Sequence, residues 1–230
     1  MKQGLLIAVE GADKAGKHTQ VMNIMQYLKS KNIPAETLDF PQYSSYFGKV
    51  IKDYLNGEYG PVRSLPAEYA MLPYALDRMQ HMPIIKRWLA AGKWVVLDRY
   101  TYSNSFSVAK CPEEQWSQKI NYMEKTEFDE MGIIRPDYNI YLYLRPEISY
   151  AMRTQGLKEY QNGKPDMHES DFKLLNDVSR VYNFIAQKNP RSWTVVNEMK
   201  PDGTRMNAAE TFDALRPVLD KLIDKHIHSR

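Results

Sequence analysis

Cysteine is almost absent: Cys111 stands alone, so no intramolecular disulfide can form and a reducing compartment fits. A single thiol of this kind is more often inert than catalytic. Long apolar runs are absent too, and nothing approaches the roughly 20 residues of a membrane-spanning helix. Leu5–Val9 is too short for a signal core and runs straight into a loop, so the cytoplasm is the expected compartment. Neither charge sign dominates. With 31 basic and 28 acidic residues the formal charge is +3, too balanced to argue for nucleic acid or a membrane as partner. Repeats and low-complexity linkers are missing as well. At 230 residues the chain suits one α/β domain and is short for two, so residues 1–230 are expected to form one domain.

What is present is alternation. Short apolar runs at Leu5–Val9, Ala35–Asp39, Trp94–Asp98, Tyr138–Leu144 and Trp193–Val196 read as strands buried on both faces. Helical stretches separate or follow them: Lys17–Lys31, Gly48–Leu55, Pro66–Ala91, Pro112–Met131, Pro146–Thr154, Glu169–Lys188 and Ala208–His226. This order implies an α/β fold, a five-stranded parallel sheet with helices on both faces, and ligands at the carboxyl ends of the strands.

The strongest motif is Gly11-Ala-Asp-Lys-Ala-Gly-Lys-His-Thr19, directly after the first strand and opening the first helix. Two glycines five positions apart let the backbone curl so that several N–H groups converge on one anion. Lys17 can reach the outer phosphates of a nucleoside triphosphate, and the helix turns its positive end to the same point. The residue after the lysine is usually Ser or Thr, whose hydroxyl binds magnesium. Here it is His18, followed by Thr19. Three readings stay open: Thr19 or a water takes that position, other groups hold the metal, or catalysis is weakened.

Weaker signals surround this loop. Asp98 ends an apolar strand beside it, which suits holding magnesium through water, and Arg99 would lie between two phosphates. The same pair also reads as a surface ion pair. Pro41 stiffens the turn in Phe40-Pro-Gln-Tyr43 and so aims Tyr43. Tyr74 and Arg78 are four apart, hence on one helix face, where a ring and a guanidinium can stack on a base and bond its edge. Half-buried packing explains that pair as well. Residues 155–168, with Gly156, Gly163 and Pro165, read either as a solvated loop or as a lid that excludes water during transfer.

Taken in order, Glu10–Gln20, Phe40–Tyr43, Ala75–Arg78, Asp98–Tyr100 with Ser103 and Asn104, and Asp166–Glu169 resemble the thymidylate kinase family over nearly the whole chain. The resemblance implies the three-layer P-loop NTPase fold and ATP-dependent phosphorylation of thymidine monophosphate (dTMP), with Mg2+. It places ATP on Gly11, Ala12, Asp13, Lys14, Ala15, Gly16, Lys17, His18 and Thr19, with Arg153 near adenine and phosphates. Asp13 resembles the acid that contacts the acceptor's 3′-hydroxyl. Lys14 resembles a basic loop residue that supplies charge to the transferring phosphoryl group. Tyr43 and Arg99 match acceptor-phosphate contacts. Tyr74 matches the ring on thymine, and Arg78 and Asn104 match contacts to the pyrimidine edge, with Ser103 beside them. Asp98 and Thr19 would serve the metal, as would Asp166 and Glu169, which also read as a helix N-cap and first-turn acid.

The chain departs from the family pattern at His18, at Tyr74 for the usual Phe, and at Ser107, where an aromatic commonly screens the sugar 2′ position. Rival readings are another nucleoside monophosphate or deoxynucleoside kinase, and a nucleotide-binding paralogue with weakened catalysis. A GTPase switch would need Asn-Lys-x-Asp, and Asn162-Gly-Lys-Pro-Asp166 carries an extra Gly. The family is generally a homodimer. Apolar positions on Tyr69–Leu89 suit such an interface and core burial alike.

Overall fold

A computed structural model of the chain describes residues 3–157, 161 and 163–228. Five strands form one parallel sheet: β1 (Leu6–Gly11), β2 (Ala35–Asp39), β3 (Trp94–Asp98), β4 (Tyr138–Tyr143) and β5 (Trp193–Asn197). Their spatial order is β2-β3-β1-β4-β5. β1 lies between β3 and β4, with Val9 beside Asp98 and Gly11 beside Leu142. All five expected strands are present, within a residue or two at each end.

Alternation along each strand divides the core in two. Ile7, Val9, Val96, Ile140 and Leu142 face α1 (Lys17–Ser30) and α8 (Ala208–His228). Leu6, Ala8, Val95 and Leu97 face α3 (Ala67–Ala90), and Tyr141 and Trp193 face α7 (Phe172–Lys188). α2 (Tyr46–Leu55) packs on α3, and α6 (Pro146–Ala151) follows β4. No described helix is long and apolar enough to cross a membrane.

Three expectations need correction. The stretch Pro112–Met131 is not one regular helix: a 3-10 turn at Glu113–Gln115 leads into α5 (Trp116–Glu124), which continues as a π-wound segment over Lys125–Glu130. The helix expected over Glu169–Lys188 begins at Phe172, because Asp171 accepts from Leu174 N at 2.9 Å and caps it. A turn at Thr101–Asn104 and α4 (Ser105–Val108) stand where no helix was expected. Their sequence reads as loop because Thr101, Asn104, Ser105 and Ser107 are polar, yet all four are buried.

Candidate active site

The phosphate loop joins β1 to α1. A Cβ on Gly11 would lie 2.8 Å from the Leu142 carbonyl oxygen, so only glycine lets the loop pass β4. Lys14 has φ +67°, uncommon for a residue with a side chain. That conformation is held from outside the loop: Arg205 Nη2 donates to the Lys14 carbonyl at 2.7 Å and pairs with Glu198 at 2.8 Å. Burial raises the Glu198 carboxyl above its ordinary pKa, opposed by Arg205 and then Lys17. Lys17 is buried and donates Nζ to the Ala12 carbonyl at 2.8 Å, across the loop. Lys14 Nζ lies 3.5 Å from both Glu169 Oε1 and the Gly156 carbonyl, and so touches both ends of the expected lid.

A cleft runs over this loop, past Gly16, Lys17, His18 and Thr19 to Asp39, Asp98 and Arg99. Asp39 and Asp98 are register partners at the carboxyl ends of β2 and β3. Magnesium in phosphate sites is held by one or two carboxylates plus substrate oxygens and water. Asp98, with Asp39 and Thr19 lining the same cleft, fits that donor set. Among the described residues no three His, Cys, Asp or Glu side chains converge into a protein-only cage. His18 is exposed, with Nδ1 3.8 Å from Asp98.

Two expected metal ligands lie elsewhere. Asp166 Oδ1 accepts from the backbone of His168 and Glu169 at 2.9 and 3.0 Å and lines a second cleft. Glu169 is buried against Lys14 and Gln161 Nε2, the latter at 2.5 Å. Neither shares the wall of Asp98 and Thr19. Arg153 stacks 3.9 Å from the Tyr150 ring centroid and donates to the Tyr150 carbonyl. Arg205, which the sequence did not single out, occupies the place beside the loop. Of the expected lid, residues 158–160 and 162 lie outside the described residues, and Asn162 of the discounted GTPase-like stretch with them.

The second cleft meets the first at Asp13, Tyr43 and Arg99. Arg99 adopts φ +67° and donates to the Gly11 carbonyl at 3.1 Å and to Asp13 at 2.5 Å. Burial works against its charge, but Asp13, Tyr182, Asp98 and Glu10 hold its pKa above the ordinary value. Asp77 on α3 accepts from Gln42 N at 2.8 Å and from Ser45 Oγ at 2.7 Å, fixing the turn that presents Tyr43. The Phe40–Pro41 bond in that turn is cis. Tyr74 and Arg78 both line this cleft, with Ser103, Asn104 and Ser107 opposite. Burial pushes the Tyr74 hydroxyl well above its ordinary pKa, so it stays a neutral donor.

Arg78 is 1% exposed and is not held by α3 alone. Its Nε and Nη2 make a bidentate pair with Glu127 at 2.8 and 2.7 Å, and Nη1 donates to the Tyr100 carbonyl at 3.1 Å. Thr101 Oγ1 and Asn104 Nδ2 also donate to Glu127. Glu10, at the end of β1, accepts from Tyr100 N, Ser103 Oγ and Tyr182 Oη at 3.0, 2.6 and 3.0 Å. Burial raises its pKa. His168 closes the cleft from the lid side. Its ring stacks on Phe106 at 4.8 Å and 8°, and Nε2 lies 3.2 Å from Tyr54 Oη. Burial first, then Lys110, lowers its pKa to about 3.

Sequence reasoning assigned no role to Glu127, His168, Glu198 or Arg205. Each is a charged or titratable residue in a stretch that reads as helix surface or loop, and only the tertiary fold brings it to the site. The family profile described as thymidylate kinase matches residues 9–205. The 251L protein of Invertebrate iridescent virus 6 is 36% identical over 61% of this chain and 60% of its own length. A thymidylate kinase of Plasmodium falciparum is 32% identical over 81% of this chain and 90% of its own. A solved thymidylate kinase from Candida albicans has the same fold, with a TM-score of 0.72 at 21% identity, covering 97% of this chain and 94% of that one. With two clefts joined at an arginine, a phosphate loop at one end and a profile match over most of its length, the chain belongs to the thymidylate kinase family.

Proposed function

We propose that this chain carries out ATP-dependent phosphorylation of dTMP by binding ATP in the loop cleft and dTMP in the inner cleft. The observation that carries the reading is the junction: Arg99 and Asp13 lie on the walls of both clefts, where donor and acceptor phosphates would meet. Phosphoryl transfer needs positioning and charge neutralisation rather than covalent chemistry by side chains. Lys17 holds the outer phosphates. Arg99 spreads its charge between donor and acceptor, its guanidinium aimed by Asp13 and the Gly11 carbonyl. Lys14 adds a second cation from the loop. Tyr43 steadies the acceptor phosphate, while Tyr74, Arg78 and Asn104 hold the base and Asp13 the sugar hydroxyl. Magnesium, when bound by Asp98 with Thr19 nearby, neutralises part of the triphosphate charge.

Lid closure over residues 155–168 excludes water, which would otherwise accept the phosphoryl group. The same reading places the enzyme in the cytoplasm. It also includes a homodimer built on α3, where Tyr69 and Met79 are 67% and 37% exposed. The test is a coupled assay for ADP with dTMP, deoxyuridine monophosphate and ribonucleoside monophosphates in parallel. ADP formation that depends on dTMP supports the reading. Binding of ATP and dTMP without turnover refutes it in favour of a non-catalytic paralogue.

A further inference from the structure

Asn104 lines the inner cleft and is 3% exposed, yet only one end of its carboxamide is engaged. Nδ2 donates to Glu127 Oε1 at 2.7 Å, while Oδ1 has no hydrogen-bond partner among the described residues and is not sealed from the cleft. The orientation is not arbitrary. Every group around Glu127 donates to it: Arg78 twice, Thr101 once and Asn104 once. A carboxylate so surrounded accepts only, so the amide's N–H end must face it and the oxygen must face away. Arg78 spends three of its five N–H groups on Glu127 and the Tyr100 carbonyl, leaving two. Glu127 itself lies in the π-wound segment after α5, the sort of irregular turn found at functional positions, and is 1% exposed.

We propose that Glu127 is a positioning residue for base selection: by accepting the Asn104 N–H it holds the carboxamide oxygen toward the cleft, beside the Arg78 guanidinium. The cleft then offers an acceptor next to a donor. The matching base edge is a ring N–H next to a carbonyl, as N3–H and O4 supply in thymine and uracil. Cytosine reverses both, with a bare N3 and an amino group, so that acceptor meets acceptor and donor meets donor. The inference rests on the kinase reading above and deepens it, since Glu127 acts through Asn104 and Arg78 without touching the base.

The test measures kcat/KM for ADP formation by the full chain with dTMP, dUMP, dCMP and N3-methyl-dTMP. Wild type is expected to use dTMP and dUMP, and to use dCMP and the N3-methyl compound about a hundredfold less well, because a mismatched buried polar pair is left unsatisfied. In Glu127→Gln one acceptor becomes a donor, and the Asn104 amide is free to turn. The preference for dTMP over dCMP is expected to fall about tenfold or more, and Glu127→Asp, still acceptor-only, to keep it. A merely structural role would lower all acceptors together, and an unchanged preference in folded Glu127→Gln overturns the proposal. If that variant does not fold, wild type decides: dCMP or N3-methyl-dTMP used as well as dTMP overturns the amide orientation. No ADP from wild type with any of the four overturns the kinase reading itself.

Discussion

Acid should loosen this protein through His168 in a measurable way. The ring is stacked on Phe106, reaches Tyr54 Oη and feels the charges of Lys110, Asp13 and Arg99, with its pKa lowered to about 3 by burial first and then by Lys110. In the unfolded chain a histidine titrates near 6.5. Between those values the unfolded state binds the proton and the folded state does not. The stabilisation is therefore fully present above pH 6.5 and is lost as pH falls toward 3. At pH 5 the loss relative to neutral pH is about 2 kcal/mol, with a limiting slope of about 1.4 kcal/mol per pH unit. Carboxylates add their own dependence, so the quantity to measure is a difference. Urea unfolding of wild type and His168→Phe is compared at pH 7, 6 and 5, since a phenyl ring can stack on Phe106 without taking up a proton. The two stability curves should diverge by about 2 kcal/mol from pH 7 to pH 5, wild type losing more. Parallel curves would refute the buried neutral imidazole.

Four other perturbations discriminate among the roles assigned here. Lys17→Ala should cut turnover about a thousandfold with an unchanged melting profile, measured by ADP release and circular dichroism. Arg78→Ala should weaken dTMP binding far more than ATP binding by calorimetry. It should also cost about 3–5 kcal/mol in urea unfolding, because Glu127 is left as a buried charge without its partner. Arg205→Ala should raise the KM for ATP about tenfold or more with little effect on that for dTMP, since the lost bond holds the Lys14 carbonyl. Asp98→Asn should raise the magnesium concentration for half-maximal rate, and an unchanged requirement would exclude Asp98 from the metal site.

The strands were legible because parallel strands buried on both faces leave unbroken apolar runs such as Val95–Leu97. The phosphate loop was legible because its chemistry is local, with glycines, lysine and helix start all within Gly11–Lys17. Asn104 was legible as a lining residue only through the order of short motifs, and Arg78 also through its spacing from Tyr74. What orients them was not. Glu127 reaches Arg78 and Asn104 from a π-wound turn, and a single sequence contains no sign of the change from α to π winding. His168 follows a similar logic: a histidine among Asp, Met and Glu reads as solvated, and only the fold supplies Phe106 and Tyr54 around it. Motif order placed Arg153 near the donor, and the Tyr150 ring one turn earlier, on which its guanidinium stacks, carried no local signal. Arg205 reaches the loop from the β5–α8 connection across 191 positions of chain, a separation that local patterns do not register.

Glu10 ends the strand that launches the phosphate loop, and its two oxygens grip the chain at Tyr100, Ser103 and, through a phenol, α7. One side chain thereby spaces the two clefts like a ruler. The gap that the travelling phosphoryl must cross is then a fixed property of the scaffold.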